Sequence, residues 1–529
     1  MRPPLCRLST LASIVESRET WDVVIIGGGA TGLGAAVDSA SRSFRTLLFE
    51  RSDFAKATSS RSTKLIHGGV RYLKQGNIPL VREALLERSR LLGNAPHIVK
   101  PLPFVVPGYQ WQDRWYYGMG LKMYDWLAGM KGIARSKILS RKDTLLRVGG
   151  VKADGLRGGV LYYDAQFDDA RLAMSLVQTV FNQGGKAINY MRVESIVKDE
   201  DRRAAGLVIR DLETGNCIEV RARAVINATG IFTDEVRQLD TPDCWPVMKH
   251  SQGVHVVLDR EVLEGESALM IPETDDGRVL FAIPWNGRVI VGTTDTAVPD
   301  AELEPQAREE EVDYLLEHVS RYLEKAVTRS DVRSVFVGIR PLVSNADISE
   351  TSQLSREHRI IVSASGMVSI AGGKWTTYRK MAEDVVNKAL EVSGLIERPC
   401  RTSRLRLHGG KPVRRESWKW EEYGSDAVFL DELVALRPEL DERLHPGLTL
   451  RGVEVLWAVR YEMARTLEDV LSRRTRCLLF DARASIEVAP KVAKMMADEL
   501  GEGQDWIENQ EAAFRAVAEK YLVEPSKGS

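Results

Sequence analysis

Three glycines near the start of the chain have the spacing of a phosphate-binding turn. Gly27, Gly29 and Gly32 form G-x-G-x-x-G within residues 21–50, WDVVIIGGGATGLGAAVDSASRSFRTLLFE. In such a turn the first glycine permits the bend, the second lets the backbone approach a pyrophosphate, and the third lets a helix pack on a strand. Glu50 lies 18 residues after Gly32 (50 − 32), close to the ~20-residue distance at which a carboxylate binds ribose hydroxyls. These residues predict a dinucleotide site.

A strand, a tight turn and a helix must surround the glycines if the turn is to bind phosphate. Residues 21–26 are apolar and β-branched, and the segment after the turn has small residues at helical spacing. The sequence therefore predicts a strand followed by a helix whose N-terminus faces the phosphates, with Gly28 and Thr31 in the binding turn. A structural glycine turn in an unrelated α/β domain is the alternative.

Two further segments extend the predicted site. Residues 224–230, AVINATG, have the composition of a buried strand that ends in a small-residue turn, which favours FAD, held along much of the chain, over NAD, held in one compact module. Directly after the second strand comes a hydroxyl-rich loop with paired glycines, whose backbone N–H groups can wrap a pyrophosphate and a flat ring. The predicted cofactor residues of these segments are Thr58, Ser59, Ser60, Thr63, Lys64, Leu65, His67, Gly68, Gly69, Ala228 and Gly230.

Length and composition limit the classes of protein. The chain has 529 residues, beyond the ~250–300 at which single cores stop growing, so two or three domains are expected. A net charge of −1 gives no global basic field, which argues against nucleic acid as a partner. The five cysteines form no C-x-x-C pair, so neither a zinc ribbon nor another metal site is expected, and a reducing compartment is favoured. No run approaches the ~18 apolar residues of a membrane span. Residues 1–20 are interpreted as a disordered leader.

Later segments alternate as strands without long helices between them, which predicts an antiparallel sheet over the cofactor. Arg340 ends a buried apolar strand, VFVGIRPL, where either a structural ion pair or an anionic ligand would explain it. Residues 302–328 have helical periodicity. Residues 360–371 are predicted to form one strand leading into a second glycine turn. The cofactor residues predicted in that turn are Gly372, Gly373, Lys374, Trp375 and Thr376.

Five separated motifs resemble a known family. GGGATGLGAA, ATSSRSTKLIHGGVRYL, FAIPWNGRVIVGTTD, VGIRPL and AGGKWTTYRK occur in this order. Together they resemble the FAD-dependent glycerol-3-phosphate dehydrogenases of the aerobic, respiratory type. The resemblance implies a D-amino-acid-oxidase-like α/β fold, with a Rossmann-like FAD-binding domain, an inserted antiparallel-sheet substrate (cap) domain and a C-terminal helical domain.

The resemblance also suggests where these domains lie. The FAD-binding domain is assigned to 21–104, 159–243 and 360–396. The cap domain is assigned to 105–158 and 244–359, and the helical domain to 397–529.

The implied reaction is oxidation of sn-glycerol 3-phosphate at C2 to dihydroxyacetone phosphate, with electrons passing to a membrane quinone. A glycerol-3-phosphate oxidase that uses O2 and a related flavin amine or hydroxy-acid oxidase are the alternatives. The resemblance assigns phosphate binding to Arg71 and Arg340, the lining of the same pocket to Tyr72 and Lys374, and the catalytic base to His255. Around His255 the sequence departs from the family pattern, since it reads SQGVH where a G-S-H triplet is common.

His67 carries a separate ambiguity. In related amine oxidases a histidine in a similarly placed loop binds FAD covalently, whereas the glycerol-3-phosphate enzymes hold FAD non-covalently. Non-covalent FAD is therefore expected.

An aromatic segment at residues 109–137 interleaves tryptophans and tyrosines with lysines and arginines. This composition suits a lipid headgroup region, but a buried aromatic core with ordinary surface charges fits it equally well. With the resemblance, it implies a peripheral enzyme on the inner, cytoplasmic face of the cytoplasmic membrane. A homodimer is compatible with the sequence.

Overall fold

The described residues form two β-sheets, helices that lie between their strands and a set of helices in the C-terminal part. A computed structural model describes residues 5–17, 19–69, 77–272, 274–344, 358–411 and 419–524. The strands are β1 (Trp21–Ile26), β2 (Thr46–Phe49), β3 (Leu65–Ile66), β4 (Lys100–Gly108), β5 (Lys137–Leu139), β6 (Gly158–Gln166), β7 (Lys186–Ile188), β8 (Met191–Lys198), β9 (Ala204–Asp211), β10 (Cys217–Asn227), β11 (Met248–Asp259), β12 (Ala268–Ile271), β13 (Leu280–Trp285), β14 (Arg288–Gly292), β15 (Thr296–Val298), β16 (Val332–Val343), β17 (His358–Val362) and β18 (Val368–Gly372).

The helices are α1 (Arg7–Val15), α2 (Ala30–Ser41), α3 (Ile78–Asn94), α4 (Asp113–Ala128), α5 (Arg141–Arg147), α6 (Asp169–Asn182), α7 (Thr233–Asp240), α8 (Glu309–Ser320), α9 (Tyr378–Ser393), α10 (Ala427–Leu436), α11 (Gly452–Tyr461), α12 (Cys477–Phe480), α13 (Ala482–Leu500) and α14 (Gln504–Ala518). A π-helical turn covers Asp469–Arg474.

The first sheet positions the glycine turns. Its strand order is β17-β18-β10-β1-β2-β7, and β18, β10, β1, β2 and β7 are mutually parallel along this path. These strands are nearly continuous apolar runs because both faces of the sheet are buried: helices α2, α6 and α9 pack on one face, and α1, β8 and β9 pack on the other. In a parallel sheet the carboxyl ends of the strands share one edge, so the turns after β1, β2, β10 and β18 meet there.

The second sheet covers that edge. Its order is β15-β11-β14-β13-β12-β4-β6-β3, with β16 paired to β11 and β5 paired to β6. All pairs are antiparallel except β12 with β4. The fold class expected from the resemblance is confirmed. Strand β6 belongs to this sheet, so the segment 159–243 that was assigned to the FAD-binding domain begins within a strand of the second sheet. The domain boundaries stay a proposal.

Buried ion pairs join the C-terminal helices to the first sheet. Asp53, which follows β2, accepts hydrogen bonds from Arg473 at 2.5 Å and from Arg474 at 2.6 and 2.8 Å. All three side chains are almost fully buried. Burial opposes the charged carboxylate, but the two arginines outweigh it and hold the pKa of Asp53 below its usual value. The C-terminal segment is therefore fixed directly behind the cofactor edge of the sheet.

The structure corrects three sequence expectations. Residues 1–20 are not a disordered leader over the part described, since α1 packs on the first sheet and the buried Arg7 binds Asp211 at 2.6 Å. The strand expected at 360–371 is two antiparallel strands, β17 and β18, because a turn at 363–367 reverses the chain. The helix expected at 302–328 is limited to α8, whose first turn is capped by Glu311.

Candidate active site

The first of two adjoining clefts lies where the strands of the first sheet end. It has a cavity volume of about 320 Å³. The predicted cofactor residues that line it are Gly27, Gly29, Thr31, Glu50, Thr58, Ser59, Ala228, Gly230, Gly372, Gly373, Lys374 and Trp375. The turns after four parallel strands thus form one continuous wall.

The glycine turn after β1 leaves no room for side chains at three of its positions, and at Gly28 a Cβ would lie 2.8 Å from the Cβ of Glu50. Gly27 has φ +107°, and a Cβ there would lie 2.7 Å from the Ala228 oxygen. A Cβ at Gly32 would lie 1.9 Å from the Gly27 oxygen. Gly29 is different, because its backbone is extended and a Cβ would meet only Ser59 Oγ at 3.0 Å. Gly29 therefore keeps space open in the cleft, whereas Gly27 and Gly32 allow the turn itself.

Glu50 is held by two backbone amides at the edge of this cleft. Its carboxylate accepts hydrogen bonds from Gly28 N at 2.6 Å and from Ser52 N at 2.8 Å. Burial raises the pKa of Glu50, against the lowering effect of these two bonds. The carboxylate is thereby fixed beside the turn. Its recognition of a ribose stays a prediction.

The hydroxyl-rich loop after β2 ties the glycine turns to one another. Ser59 Oγ accepts a hydrogen bond from Ala30 N at 2.9 Å, and Ser59 O accepts one from Trp375 Nε1 at 2.9 Å. Thr58 Oγ1 donates to Ile339 O at 2.6 Å. The loop thus links the first turn, the turn after β18 and the second sheet.

Lys64 and Ser60 line neither cleft. Lys64 is fully buried, and its Nζ donates to Asp169 Oδ2 at 2.6 Å and to Ser60 O at 2.9 Å. Arg476, from the C-terminal segment, reaches the same two partners at 2.8 and 2.7 Å. Burial lowers the pKa of Lys64 to about 8, against the opposing effect of Asp169. These side chains brace the loop from behind.

The second cleft opens from the first and is lined by cations. Its cavity volume is about 180 Å³, and Thr58, Pro341, Gly373, Lys374 and Trp375 line both clefts. The predicted site residues in its wall are Thr63, Leu65, His67, His255, Arg340, Lys374 and Thr376. Arg61 is also in the wall, with its buried guanidinium ion-paired to Glu304. No aspartate or glutamate is among the described lining residues.

His255 lies on β11, buried in the wall of the second cleft. Its ring stacks on Phe336 with centroids 4.7 Å apart, and its Nε2 is 2.9 Å from Thr63 Oγ1. Nδ1 has no hydrogen-bond partner among the described residues. Burial, with Lys64 and Arg340 nearby, places the pKa of His255 well below its usual value. The imidazole is therefore neutral at pH 7 and able to accept a proton.

Arg340 is both an ion-paired residue and part of the cleft wall. Its guanidinium lies 3.1 Å from Asp295 Oδ1 and donates to Thr294 O at 2.8 Å and Thr293 Oγ1 at 3.2 Å. A Cβ at Gly253 would lie 2.4 Å from Arg340 Nη2, so this glycine makes room for the guanidinium. Of the two explanations open from sequence, the ion pair is confirmed. The anionic ligand stays a prediction.

The remaining predicted residues fall outside or beside the clefts. Arg71 and Tyr72 lie outside the described residues. Gly68 and Gly69 are buried behind the second cleft. Sequence reasoning missed Arg51 and Phe232, which line the first cleft with the Arg51 guanidinium carbon 3.7 Å from the centre of the Phe232 ring. The position of Arg51 directly after Glu50 is the only signal that could have indicated it.

Glycine turns at the carboxyl ends of a parallel sheet, covered by a mostly antiparallel sheet with a second cleft, define a dinucleotide-binding oxidoreductase. The pattern of the family described as FAD dependent oxidoreductase (DAO) matches residues 22–379, and that of the C-terminal domain of alpha-glycerophosphate oxidase matches residues 368–507. The chain belongs to the FAD-dependent oxidoreductases, in the group of the glycerol-3-phosphate dehydrogenases. The resemblance drawn from the five motifs is confirmed.

Named relatives support this assignment. A probable mitochondrial glycerol-3-phosphate dehydrogenase of Caenorhabditis elegans is 40% identical over 91% of this chain and 71% of its own length. The mitochondrial glycerol-3-phosphate dehydrogenase of Rattus norvegicus is 38% identical over 98% of this chain and 75% of its own length. The crystal structure of the Bacillus halodurans glycerol-3-phosphate dehydrogenase, complexed with FAD, is 29% identical, covers 99% of both chains and has a TM-score of 0.76.

The described residues fit FAD, the cofactor of this family. The turn at Gly27 and Gly29 lines the first cleft at the N-terminus of α2, where free backbone N–H groups favour an anion, and Glu50 lines the same cleft. The adjoining clefts give a long cofactor one continuous path from this turn to Lys374 and Trp375. The expectation of FAD is confirmed. Its non-covalent attachment, which concerns His67, stays a prediction.

Proposed function

We propose that the protein oxidises sn-glycerol 3-phosphate at C2 to dihydroxyacetone phosphate and that the electrons pass to a membrane quinone. The observation that carries the proposal is the second cleft, whose described wall has Lys374, Arg340 paired with Asp295 and Arg61 paired with Glu304, and no carboxylate residue in the wall itself. Phosphate oxygens form charge-assisted hydrogen bonds with such cations. The relatives named glycerol-3-phosphate dehydrogenases support the same substrate.

The reaction removes two electrons and two protons from the alcohol. The C2 hydrogen leaves with its electron pair, the hydroxyl proton leaves to a base, and the C2–O bond becomes a carbonyl. FAD, when bound, supplies the two-electron acceptor. His255 is assigned the role of base, because its ring is neutral before substrate binds and lies in the wall of this cleft, where it can accept the hydroxyl proton. Its Nε2 contacts Thr63 Oγ1. Thr63 fixes the ring orientation through this contact.

Substrate orientation falls to the cations of the same wall. Arg340 is fixed by Asp295 and the carbonyl of Thr294, so its planar guanidinium is held in place before substrate arrives. A preorganised group loses little conformational freedom on binding, which favours orientation of the reacting carbon. Lys374 lines both clefts. Arg71 lies outside the described residues, and only the family resemblance assigns it to the phosphate site.

Anaerobic addition of substrate tests the proposal. Glycerol 3-phosphate should bleach the flavin absorbance of the purified protein, because a phosphate dianion matches the cationic wall. Glycerol should reduce it poorly, since loss of a buried charged contact costs about 2–5 kcal/mol, or roughly thirty- to several-thousand-fold in specificity. The measurement is the second-order rate of flavin reduction, with dihydroxyacetone phosphate identified as the product.

Two matched additions separate the alternatives. If glycine or proline bleaches the flavin absorbance and glycerol 3-phosphate does not, the proposal is rejected and an amine oxidase is indicated instead. Oxygen uptake that matches the rate of substrate oxidation, without reduction of an added quinone, would indicate an oxidase instead.

The outer face of α4 supports the membrane part of the proposal. Trp115, Met119, Met123 and Trp126 follow one another at three- to four-residue spacing, and the side chains of Trp115, Met119 and Trp126 are 65%, 67% and 77% exposed. Trp111, just before the helix, is 73% exposed. Exposed lysines and arginines follow the helix at residues 131–137. A stripe of apolar rings beside cations is typical of a surface that lies in the lipid headgroup region.

The buried-core interpretation holds only for the opposite face of this helix. Leu121, Tyr124 and Ala128 face inward and are buried. No helix among the described residues is long and apolar enough to cross a membrane. We propose peripheral contact through the exposed stripe of α4, on the inner face of the cytoplasmic membrane.

A triple substitution tests this contact. Trp115→Ser, Met119→Ser and Trp126→Ser together should lower sedimentation with anionic vesicles at least about tenfold, because three large apolar side chains no longer enter the interface. Activity with a soluble dye acceptor should stay near that of the wild type. The control replaces three exposed apolar residues elsewhere, Trp245, Ile396 and Leu436, with serine. Equal vesicle binding of both triple variants would assign the contact to another surface.

A further inference from the structure

Three buried polar side chains behind the second cleft have no part in the chemistry described above. Arg88 on α3, Tyr124 on α4 and Asp164 on β6 form a hydrogen-bonded cluster. Tyr124 Oη donates to Asp164 Oδ1 at 2.8 Å, and Arg88 forms an ion pair with the same carboxylate. Burial raises the pKa of Tyr124 well above its usual value, so its hydroxyl stays protonated.

The cluster holds one backbone amide of the cofactor loop. Gly68 N donates to Tyr124 Oη at 2.8 Å and, less closely, to Asp164 Oδ1 at 3.3 Å. The strand pairing of β3 with β6 ends at Ile66 opposite Ala165. Beyond the end of this pairing, the side chains of Tyr124 and Asp164 accept the hydrogen bond of the Gly68 amide, which no neighbouring strand accepts.

The fit at this point is close. A Cβ at Gly68 would lie 2.4 Å from Tyr124 Oη and 2.6 Å from a methyl carbon of Leu85. The neighbouring His67 lines the second cleft, and its amide faces Thr376 Oγ1 at 3.3 Å. The loop is thus held between Tyr124 on one side and the turn after β18 on the other.

We propose that Tyr124 is a positioning residue for the second cleft, acting through the Gly68 amide on His67. Its hydroxyl fixes the loop wall of the cleft without touching substrate or cofactor. Without this hydroxyl the amide keeps only the longer contact with Asp164, and the loop samples positions that widen the cleft. The substrate half of this inference rests on the proposed function.

Tyr124→Phe tests the inference, with Tyr162→Phe as a matched control. Tyr162 is buried in the same region, its ring centre 6.4 Å from that of Tyr124, but its hydroxyl contacts Met270 Sδ at 3.3 Å and not the loop. Hydrogen exchange of the peptide spanning residues 65–69 should become about five- to tenfold faster in Tyr124→Phe, as expected for one lost hydrogen bond, and should not change in Tyr162→Phe.

Kinetics give the second readout. In Tyr124→Phe the KM for glycerol 3-phosphate should rise about five- to tenfold with kcat reduced less, while FAD content stays that of the wild type. The inference would be overturned if Tyr124→Phe and Tyr162→Phe had the same exchange rate at residues 65–69 and the same KM. It would also be overturned if exchange became faster throughout both variant proteins, because that result indicates only lost stability. If the wild type itself fails to oxidise glycerol 3-phosphate, the proposed function fails, and the exchange measurement still decides the role of Tyr124.

Discussion

Gly29→Val is expected to give a folded protein that carries no FAD. Gly29 lines the first cleft, has an extended backbone that other residues can adopt, and faces only Ser59. A valine there fills the space that the pyrophosphate needs while leaving the turn intact. FAD binding should weaken at least about a hundredfold, or about 2.8 kcal/mol. The measurement is the ratio of flavin to protein after gel filtration.

Gly93→Val is the matched control for this substitution. Gly93 is exposed on α3, and a Cβ there meets nothing within 4 Å. It should keep its flavin, and α3 should not be weakened, because valine has a higher helix propensity than glycine. Yellow Gly29→Val protein with wild-type flavin content would show that the phosphates do not lie against this turn. Gly32→Val is unsuitable as a test, because the clash at 1.9 Å with the Gly27 oxygen would disturb the fold itself.

Arg340→Ala is expected to lower kcat/KM for glycerol 3-phosphate by roughly thirty- to several-thousand-fold, which corresponds to losing one buried charged contact of about 2–5 kcal/mol. The loss has two sources. The substrate phosphate loses a cationic partner, and the Asp295 carboxylate, 8% exposed, loses the arginine that neutralises it beside the cleft. The negative charge of Asp295 would then repel a phosphate dianion.

Two companion variants separate these sources. Arg340→Ala combined with Asp295→Ala removes both charges, so any loss that persists is due to the missing cation. Arg340→Lys should recover only part of the activity, because a point charge cannot reproduce the planar fork that reaches both Thr293 and Thr294. Wild-type efficiency in the double variant would assign phosphate binding to Arg71 or Lys374.

Local patterns were sufficient to predict the cofactor edge of the fold. The apolar run before Gly27 and the position of Glu50 directly after β2 can both be recognised from residues close in sequence. The structure places the end of that run and Glu50 at the first cleft. The turn after β18 follows the same rule. Such features are local because one strand and one turn fix them.

Features that depend on distant partners could not be predicted. The partners of Asp53 lie 420 and 421 residues away, and the partner of Arg7 lies 204 residues away. No spacing rule connects such residues. For the same reason, the sequence did not predict that Lys64 is paired with Asp169 or that Arg340 is paired with Asp295. The position of Lys64 in the loop suggested cofactor contact instead. The inward role of Tyr124 was hidden because α4 is apolar on both faces.

We propose that Arg340 recognises the phosphate of the substrate. The direct measurement is the rate of anaerobic flavin reduction, divided by the dissociation constant, for glycerol 3-phosphate and for glycerol, in the wild type and in the Arg340→Ala, Asp295→Ala double variant. If Arg340 binds the phosphate, the preference for glycerol 3-phosphate over glycerol is roughly thirtyfold or more smaller in the double variant than in the wild type. The reason is that the phosphate can strengthen binding only where its arginine partner is present. An unchanged preference would contradict it.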